Sequence, residues 1–506
     1  MTNINCMIKV SIVLSILGFF VFLLLSPKDR HQSSTSEKIL STTAVAGIVS
    51  LRNAGNDFIQ DKAASNFKKY CSGCHGESME AFADRQWKYG KSKEDLVKSI
   101  RLGHPEGGMP PFEPTMSAAE INGMAEYILK GIENVNRYMF TNKPKSNIFK
   151  TSTLTIQLDT VVQGLQNPWG MAFLPNGDML ITERSGKMFR HSKNKGLEPI
   201  DGVPAVVAEG QGGLLDVELH PDFRNNNVIY ISYSIPIKTD SILLSTTAVT
   251  RATLNGNSLS QQKKIFEALP YSKTRHHYGS RLEFDKDGYL FVTVGDRGNH
   301  DENPQNLDNY CGKVHRIKED GSIPADNPYV NKPGAIPSIY SYGHRNPQGM
   351  ALNPGTGIIW THEHGPRGGD EVNIIQKAKN YGWPVISYGL NYNGSVLTAT
   401  SAKTGMEQPQ LYWVPSIAPS GMVFVQGDKY KSWKGHLLVG SLRFKYLNLC
   451  KVSGSKITGQ EIMLENIGRV RNVIMGPEGY IYVSVESPGI IFRLMPVTAD
   501  KNLTLK

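Results

Sequence analysis

Cysteine is scarce in this chain, at five of 506 residues. So few thiols exclude a disulfide framework as the main source of stability. A run of five Lys or Arg is also missing, although the formal net charge is +10. A scattered excess of that kind makes no polyanion stripe and argues against a nucleic-acid partner. With 40% apolar and 20% charged residues the chain can bury cores, and it is not a disordered polymer. Gly (49) and Pro (28) slightly exceed their usual share without any collagen-like period, which points to many tight turns. The length suits two or three domains.

The first thirty residues give an address. Val10 to Ser26 carry no charge, with Lys9 before them and Lys28, Asp29 and Arg30 after. That length fits a signal peptide or a transmembrane anchor. No small-x-small cleavage site follows closely, since Ala44-Val45-Ala46 comes late, so an uncleaved N-terminal transmembrane helix (1–30) is the expectation. Secretion is the outcome if it is cleaved. Residues 31–55 are rich in Ser and Thr and read as a flexible stalk. The expectation is a periplasmic or extracytoplasmic protein held on the cytoplasmic membrane.

Residues 56–137 carry the attachment signature of a c-type haem, Cys71-Ser72-Gly73-Cys74-His75. Two thiols one helical turn apart reach the two vinyl groups of one porphyrin, and the adjacent His75 presents a nitrogen to the iron. A thioredoxin-like pair lacks its surrounding βαβ pattern, and a zinc site lacks a second ligand pair. Gly107-Gly108-Met109-Pro110-Pro111 resembles the sixth-ligand loop of class I cytochromes c, which nominates Met109 over Met79 and Met116. Ser117 and Glu120 form a capping box ahead of an apolar face of Ile121, Met124, Ala125, Ile128 and Leu129. A small all-α domain with an electron-transferring haem is expected.

After a linker (138–153), residues 154–496 show no long amphipathic helix. Instead a polar Gly-containing or Asn-rich turn followed by an alternating strand recurs six times, at Pro175, Arg224, Asp285, Pro354, Ser432 and Gly476. Six such hairpins suggest an all-β six-bladed β-propeller rather than two packed sandwiches. Thr155 to Val161 should pair with the strands after Arg471 to close the ring. Residues 497–506 read as a tail.

Several segments place polar groups beside glycines: Gly210 to Asp216, His276 to Arg281, Gly343 to Gly349, and His364 to Glu371. Arg469 and Arg471 point to one side of a strand, as a polyanion requires. His362-Glu363-His364 is not H-E-x-x-H, so a zinc hydrolase is poorly supported. Cys311 and Cys450 read as buried hydrophobes.

On these segments, with Asn167-Pro168-Trp169-Gly170 and Gly295-Asp296-Arg297-Gly298, the chain resembles the pyrroloquinoline quinone (PQQ)-dependent glucose/sorbosone dehydrogenases, and within them the aldose sugar dehydrogenases. The resemblance implies His277 as general base, Asp296 as the carboxylate orienting it, and Gln211, Arg345 and Asn346 on the cofactor side. It implies Arg469 and Arg471 on the PQQ carboxylates. The carbonyls of Gly365 and Pro366 match ligands of the calcium ion (Ca2+) beside PQQ. Glu371 and the backbone of Tyr381 match a second, structural calcium. Ser416 and Arg443 stand where close relatives have Thr and Lys, and Arg for Lys turns a point charge into a fork. His276 reads as a wall residue.

The implied function is a quinohaem enzyme oxidising an aldose and passing electrons to a downstream cytochrome or terminal oxidase. Oxidation of sorbosone or another aldehyde or alcohol is an alternative. So is a cofactor-free carbohydrate-binding propeller or a lactonase fused to a cytochrome.

Overall fold

A computed structural model describes residues 61–75, 87, 89–105, 108–135, 146–239, 242–392 and 395–497. The N-terminal segment, the stalk, the Cys74 side chain and Met79 lie outside the described residues, as does nearly all of the tail. The chain divides into two units, residues 1–66 and 67–506.

Three helical stretches make up the described haem region. The C-x-x-C-H turn is helical, ending in Ser72–His75 (α1). Lys93–Leu102 (α2) starts at a capping box in which Ser92 and Asp95 satisfy each other's backbone N–H. Ala118–Val135 (α3) starts at the expected Ser117–Glu120 box, with Ser117 N donating to Glu120 Oε2 at 2.9 Å. Its expected face is buried, Met124 and Ala125 completely, in a cluster that also holds Phe67, Cys71, Leu96, Ile100 and Phe112. Met116 belongs to that buried core, whereas Met109 is only partly buried at its edge.

Six antiparallel sheets follow, five of four strands and one of five. Their innermost strands are Pro168–Phe173, Leu214–Leu219, Leu282–Phe284, Pro347–Asn353, Pro419–Phe424 and Val470–Met475, and each touches the next around a closed ring. Each recurring strand of the sequence is the second strand of a blade: Met179–Glu183, Val228–Thr239, Leu290–Val294, Ile358–Glu363, Leu437–Ser441 and Ile481–Val485. These strands are buried on both faces through most of their length, so they are apolar runs more than strict alternations.

Closure occurs as expected. Thr155–Val162 pairs with Ile490–Pro496, Leu158 opposite Leu494, which joins the start of the propeller to its last blade. A further short strand, Ile148–Lys150, pairs outside it and escaped the pattern because three residues show no period. Stitching the ring through its ends leaves no exposed inner edge. The loops that enter the inner strands and those that follow the second strands carry the site residues, from Gln211 and His277 to Asp296 and Glu486. Cys311 and Cys450 are fully buried free thiols, pushed up to about 11 and about 12 by burial.

Candidate active site

The loop before the third blade carries His277 at φ 55°, a left-handed conformation rare outside glycine. Its carbonyl lies so near Gly295 that a Cβ there would stand 2.3 Å from it, so only glycine lets the two loops meet. That approach sets His277 Nδ1 2.6 Å from Asp296 Oδ1. An ionised carboxylate only accepts, so Nδ1 carries the proton and Nε2 keeps its lone pair. Asp296 also accepts from Gly298 N (2.8 Å) and from Trp383 Nε1 (2.8 Å), which fixes both oxygens. Burial alone would raise the Asp296 carboxyl. His277, Arg345 and the Gly298 N–H together outweigh it and hold the carboxyl well below the usual range.

His277 is lowered from its ordinary value by burial first and by the Arg345 charge second, against the pull of Asp296. The imidazole is therefore neutral at neutral pH and ready to take a proton. Gln211 is exposed, and its Oε1 accepts from His277 N at 2.8 Å, so it holds the His277 backbone. His276 meets His277 edge to face at 4.4 Å and is pushed down to about 2, chiefly by burial. Its Nδ1 is buried without a hydrogen-bond partner.

Arg345 is buried and donates through Nη1 to the carbonyls of His364 (3.0 Å) and Gly365 (2.8 Å). The Gly365 carbonyl, expected on calcium, is here occupied by that guanidinium. Asn346 accepts from Gly279 N at 3.2 Å, while its Nδ2 is buried without a partner. Asp370, which the sequence reading passed over, organises the next stretch. It accepts from Gly365 N (2.8 Å), Ile417 N (2.7 Å), Ala418 N (3.0 Å) and the Ser416 hydroxyl (2.8 Å). Burial pushes it up to about 6 against these bonds. Arg443 reaches the Ser416 carbonyl at 3.2 Å and leaves its Nε buried and unpartnered.

Arg469 and Arg471 do converge, but on a residue of this chain. Glu486 accepts from Arg471 Nε at 2.7 Å and from Arg469 Nε at 3.2 Å. Burial opposes ionisation, yet Arg471, Arg469 and Arg184 pull Glu486 down to about 2. Arg471 also donates to Gln348 Oε1 (3.1 Å) and Ser420 Oγ (3.0 Å), and Gln348 Nε2 returns to the Gly279 carbonyl (3.1 Å). Behind the site, Glu371 accepts from Asn373 (3.1 Å) and is raised to about 8 by burial and then by Glu363. Tyr381 stacks on His344 at 4.6 Å, and His344 Nδ1 pairs with Glu363 at 2.9 Å.

One connected network thus joins His277, Asp296, Gln211, Arg345, Asn346, Ser416 and Arg443, with Arg471 reached through Gln348. Trp383, Asp370, Glu363 and Glu486 were missed. Trp383 had a visible signal, as one of six tryptophans set beside a Gly and a Pro, and Asp370 lay inside the glycine-flanked segment His364 to Glu371 without a role of its own. Among the described residues no His, Cys, Asp and Glu group is arranged to hold a metal by side chains alone.

The glucose/sorbosone dehydrogenase family model matches residues 165–493. The chain belongs to that family. A second model, cytochrome c oxidase cbb3-type subunit III, matches residues 60–128, which makes the leading module a cytochrome c domain. An aldose sugar dehydrogenase of Escherichia coli is 42% identical over 348 residues, covering 68% of this chain and 93% of its own. Quinoprotein glucose dehydrogenase B of Acinetobacter calcoaceticus is 30% identical, covering 72% of this chain and 92% of its own.

Among solved structures, the apo form of the soluble Escherichia coli aldose sugar dehydrogenase matches with TM-score 0.65 at 40% identity, over 68% of this chain and 100% of that one. The PQQ-bound aldose sugar dehydrogenase of Streptomyces coelicolor matches with TM-score 0.57 at 26% identity, over 69% and 99%. The family members therefore correspond to the propeller.

Proposed function

We propose that this sugar dehydrogenase oxidises an aldose at C1 to the lactone at PQQ and passes the electrons out through a covalently held haem c. The observation that carries the reading is the neutral, oriented His277 among buried donors still lacking acceptors, Asn346 Nδ2 and Arg443 Nε. A donor-rich, cationic wall suits a planar polycarboxylate. Arg345, Asn346, Ser416, Arg443, Arg469 and Arg471 would hold PQQ, which when bound supplies the hydride-accepting carbonyl. The paired acids Glu363 and Glu371, the latter raised to about 8 by burial and then by Glu363, suit a hard ion such as calcium. The carbonyls of Gly365 and Pro366 would serve a second calcium if the Arg345 guanidinium yields Gly365. Tyr381 lies beside the acid pair through His344.

His277 Nε2 takes the proton of the sugar's C1 hydroxyl, and Asp296 holds the tautomer and steadies the imidazolium that forms. A positioned base of this kind contributes roughly 10²–10⁴ in rate. Arg345 lowers the imidazole's affinity for a proton and so keeps it available as a base.

The haem reading rests on chemistry in the leading module. Cys71 is buried in the apolar cluster that Met109 flanks, and burial pushes the His75 imidazole down to about 4, leaving it neutral as a metal ligand must be. Cys71 and Cys74 would carry the thioethers, with His75 and Met109 on the iron. The N-terminal segment would tether the enzyme outside the cytoplasmic membrane, facing a downstream cytochrome or terminal oxidase. Purified protein reconstituted with PQQ and calcium should reduce its haem on addition of an aldose. A PQQ-free sample should not, and sugar-driven haem reduction without PQQ rejects the reading.

A further inference from the structure

Among the described residues, the cytochrome module meets the propeller at Tyr70 and at Gly108, one beside a haem-attachment cysteine and one beside the candidate sixth ligand. Tyr70 directly precedes Cys71, and the Arg367 guanidinium lies over its ring at 5.3 Å. Gly108 directly precedes Met109 and faces His276. A Cβ built on Gly108 would stand 3.2 Å from His276 Nδ1 and 3.4 Å from its Cγ. At φ 85° this glycine both makes the turn and lets the loop backbone approach the imidazole.

The propeller partners are as closely placed. His276 is the neighbour of His277 and meets it edge to face at 4.4 Å. From its other side Gly298, two residues beyond Asp296, closes on the same ring, since a Cβ there would stand 2.6 Å from Nε2. Arg367 follows Pro366 and the Gly365 carbonyl that Arg345 holds at 2.8 Å. Each contact is thus one residue from a haem-attachment or iron-ligand position on one side and one residue from the sugar site on the other. Residues 67–135 also fall in the same compact unit as the propeller. A haem module on a free tether would have no reason to present both its attachment edge and its Met109 loop to the one mouth that does chemistry.

We propose that Tyr70 and Gly108 are the docking points by which the cytochrome module seats on the sugar site of its own chain, making the His276–Gly108 contact the place where electrons leave that site. The proposal rests on the quinohaem reading above. Oxidising an aldose to its lactone releases two electrons and two protons. A single haem iron passes the electrons on one at a time, Fe(III) to Fe(II), to an external one-electron acceptor such as ferricyanide or a small cytochrome. The protons leave through His277 and solvent.

The test uses the full chain with Gly108→Asn, chosen because Asn tolerates positive φ while adding a side chain against His276, and separately Arg367→Glu, which lies far in sequence from any haem ligand. The first readout needs no turnover. In PQQ-free protein, amide hydrogen exchange of residues 272–278 and 364–369 should quicken about tenfold or more in both variants, with the haem spectrum unchanged. The second readout is single-turnover haem reduction by aldose after reconstitution. It should be first order and independent of enzyme concentration in the parent chain, and slower by about tenfold or more in the variants, as loss of intramolecular proximity requires. Reduction of PQQ itself should not change.

Exchange rates identical in all three proteins, or parent haem reduction that scales with enzyme concentration, overturn the docking. If the aldose never reduces PQQ, it is the dehydrogenase reading that fails, and the exchange rates still decide the docking.

Discussion

The two redox modules store their chemistry differently. In the cytochrome module the haem-attachment signature lies within five consecutive residues, Cys71 to His75, on one helical turn. In the propeller the site is assembled across the ring: Gln211 and His277 are 66 residues apart, Asp296 and Trp383 are 87, and Arg471 and Gln348 are 123. A local motif survives any error about the fold, whereas a distributed site exists only once the ring has closed. Damage should therefore be additive between modules and strongly coupled within the propeller.

The sharpest break of that comparison is His277→Ala. With the proposed base gone, sugar oxidation should fall by about two to four orders of magnitude, while the haem spectrum stays normal. Steady-state rates with an artificial acceptor, set beside the visible spectrum, check both halves. A rate within about threefold of the parent would remove His277 from the base's role.

That such a residue could be singled out shows where the sequence was legible. Glycine-flanked polar segments announced the mouth, and the repeated second strands announced six blades, because apolar runs after tight turns have few other uses. Asp370, Glu363 and Glu486 were not legible. Their roles come from burial and from partners 46, 18 and 15 residues away (the Ser416 hydroxyl, the Arg345 backbone N–H and the Arg471 guanidinium), and no periodicity marks an acid whose function is to anchor a distant segment. The paired arginines misled in one respect: their shared carboxylate is an internal one.

Asp296→Asn comes next. Asp296 accepts from three N–H groups, those of His277, Gly298 and Trp383, and an amide has one acceptor oxygen, so at least one donor must face an NH2. The turnover number should drop at least about a hundredfold. The pH profile carries the sign. His277 already lies below its ordinary value, and Asp296 is what holds it up. Without that carboxylate the acid limb of the turnover number should move to lower pH, even as its plateau falls. A limb moving to higher pH would contradict the electrostatic assignment.

Glu486→Gln tests the internal anion. In the folded protein this carboxyl is held at about 2, against 4.5 as its ordinary value, a difference worth about 3 kcal/mol. A depressed carboxyl stabilises fully above its unfolded value and loses that contribution as pH falls through the folded one. At pH 7 the variant should be less stable by about 3 kcal/mol, and the gap should narrow between pH 4.5 and about 2. Denaturant titrations across that window measure it. A gap that stays constant with pH assigns the loss to packing rather than charge.

The smallest effect on sugar oxidation belongs to Met109→Ala. Met109 is only partly buried at the edge of its core, and its backbone is held by reciprocal bonds with His104, N to O at 3.1 Å and back at 2.7 Å. Truncating the side chain removes a thioether and little packing, so the loop should keep its course past His276. The iron should change ligation and potential, visible in the spectrum and in a redox titration. Oxidation of aldose with a small artificial acceptor should continue within about twofold of the parent rate, since no group that touches the sugar has changed. Transfer to a physiological cytochrome or oxidase should fall if the haem is the exit for electrons, since its potential has moved. Loss of artificial-acceptor activity in a folded Met109→Ala protein that still binds PQQ would mean that the two modules do not divide the chemistry between them.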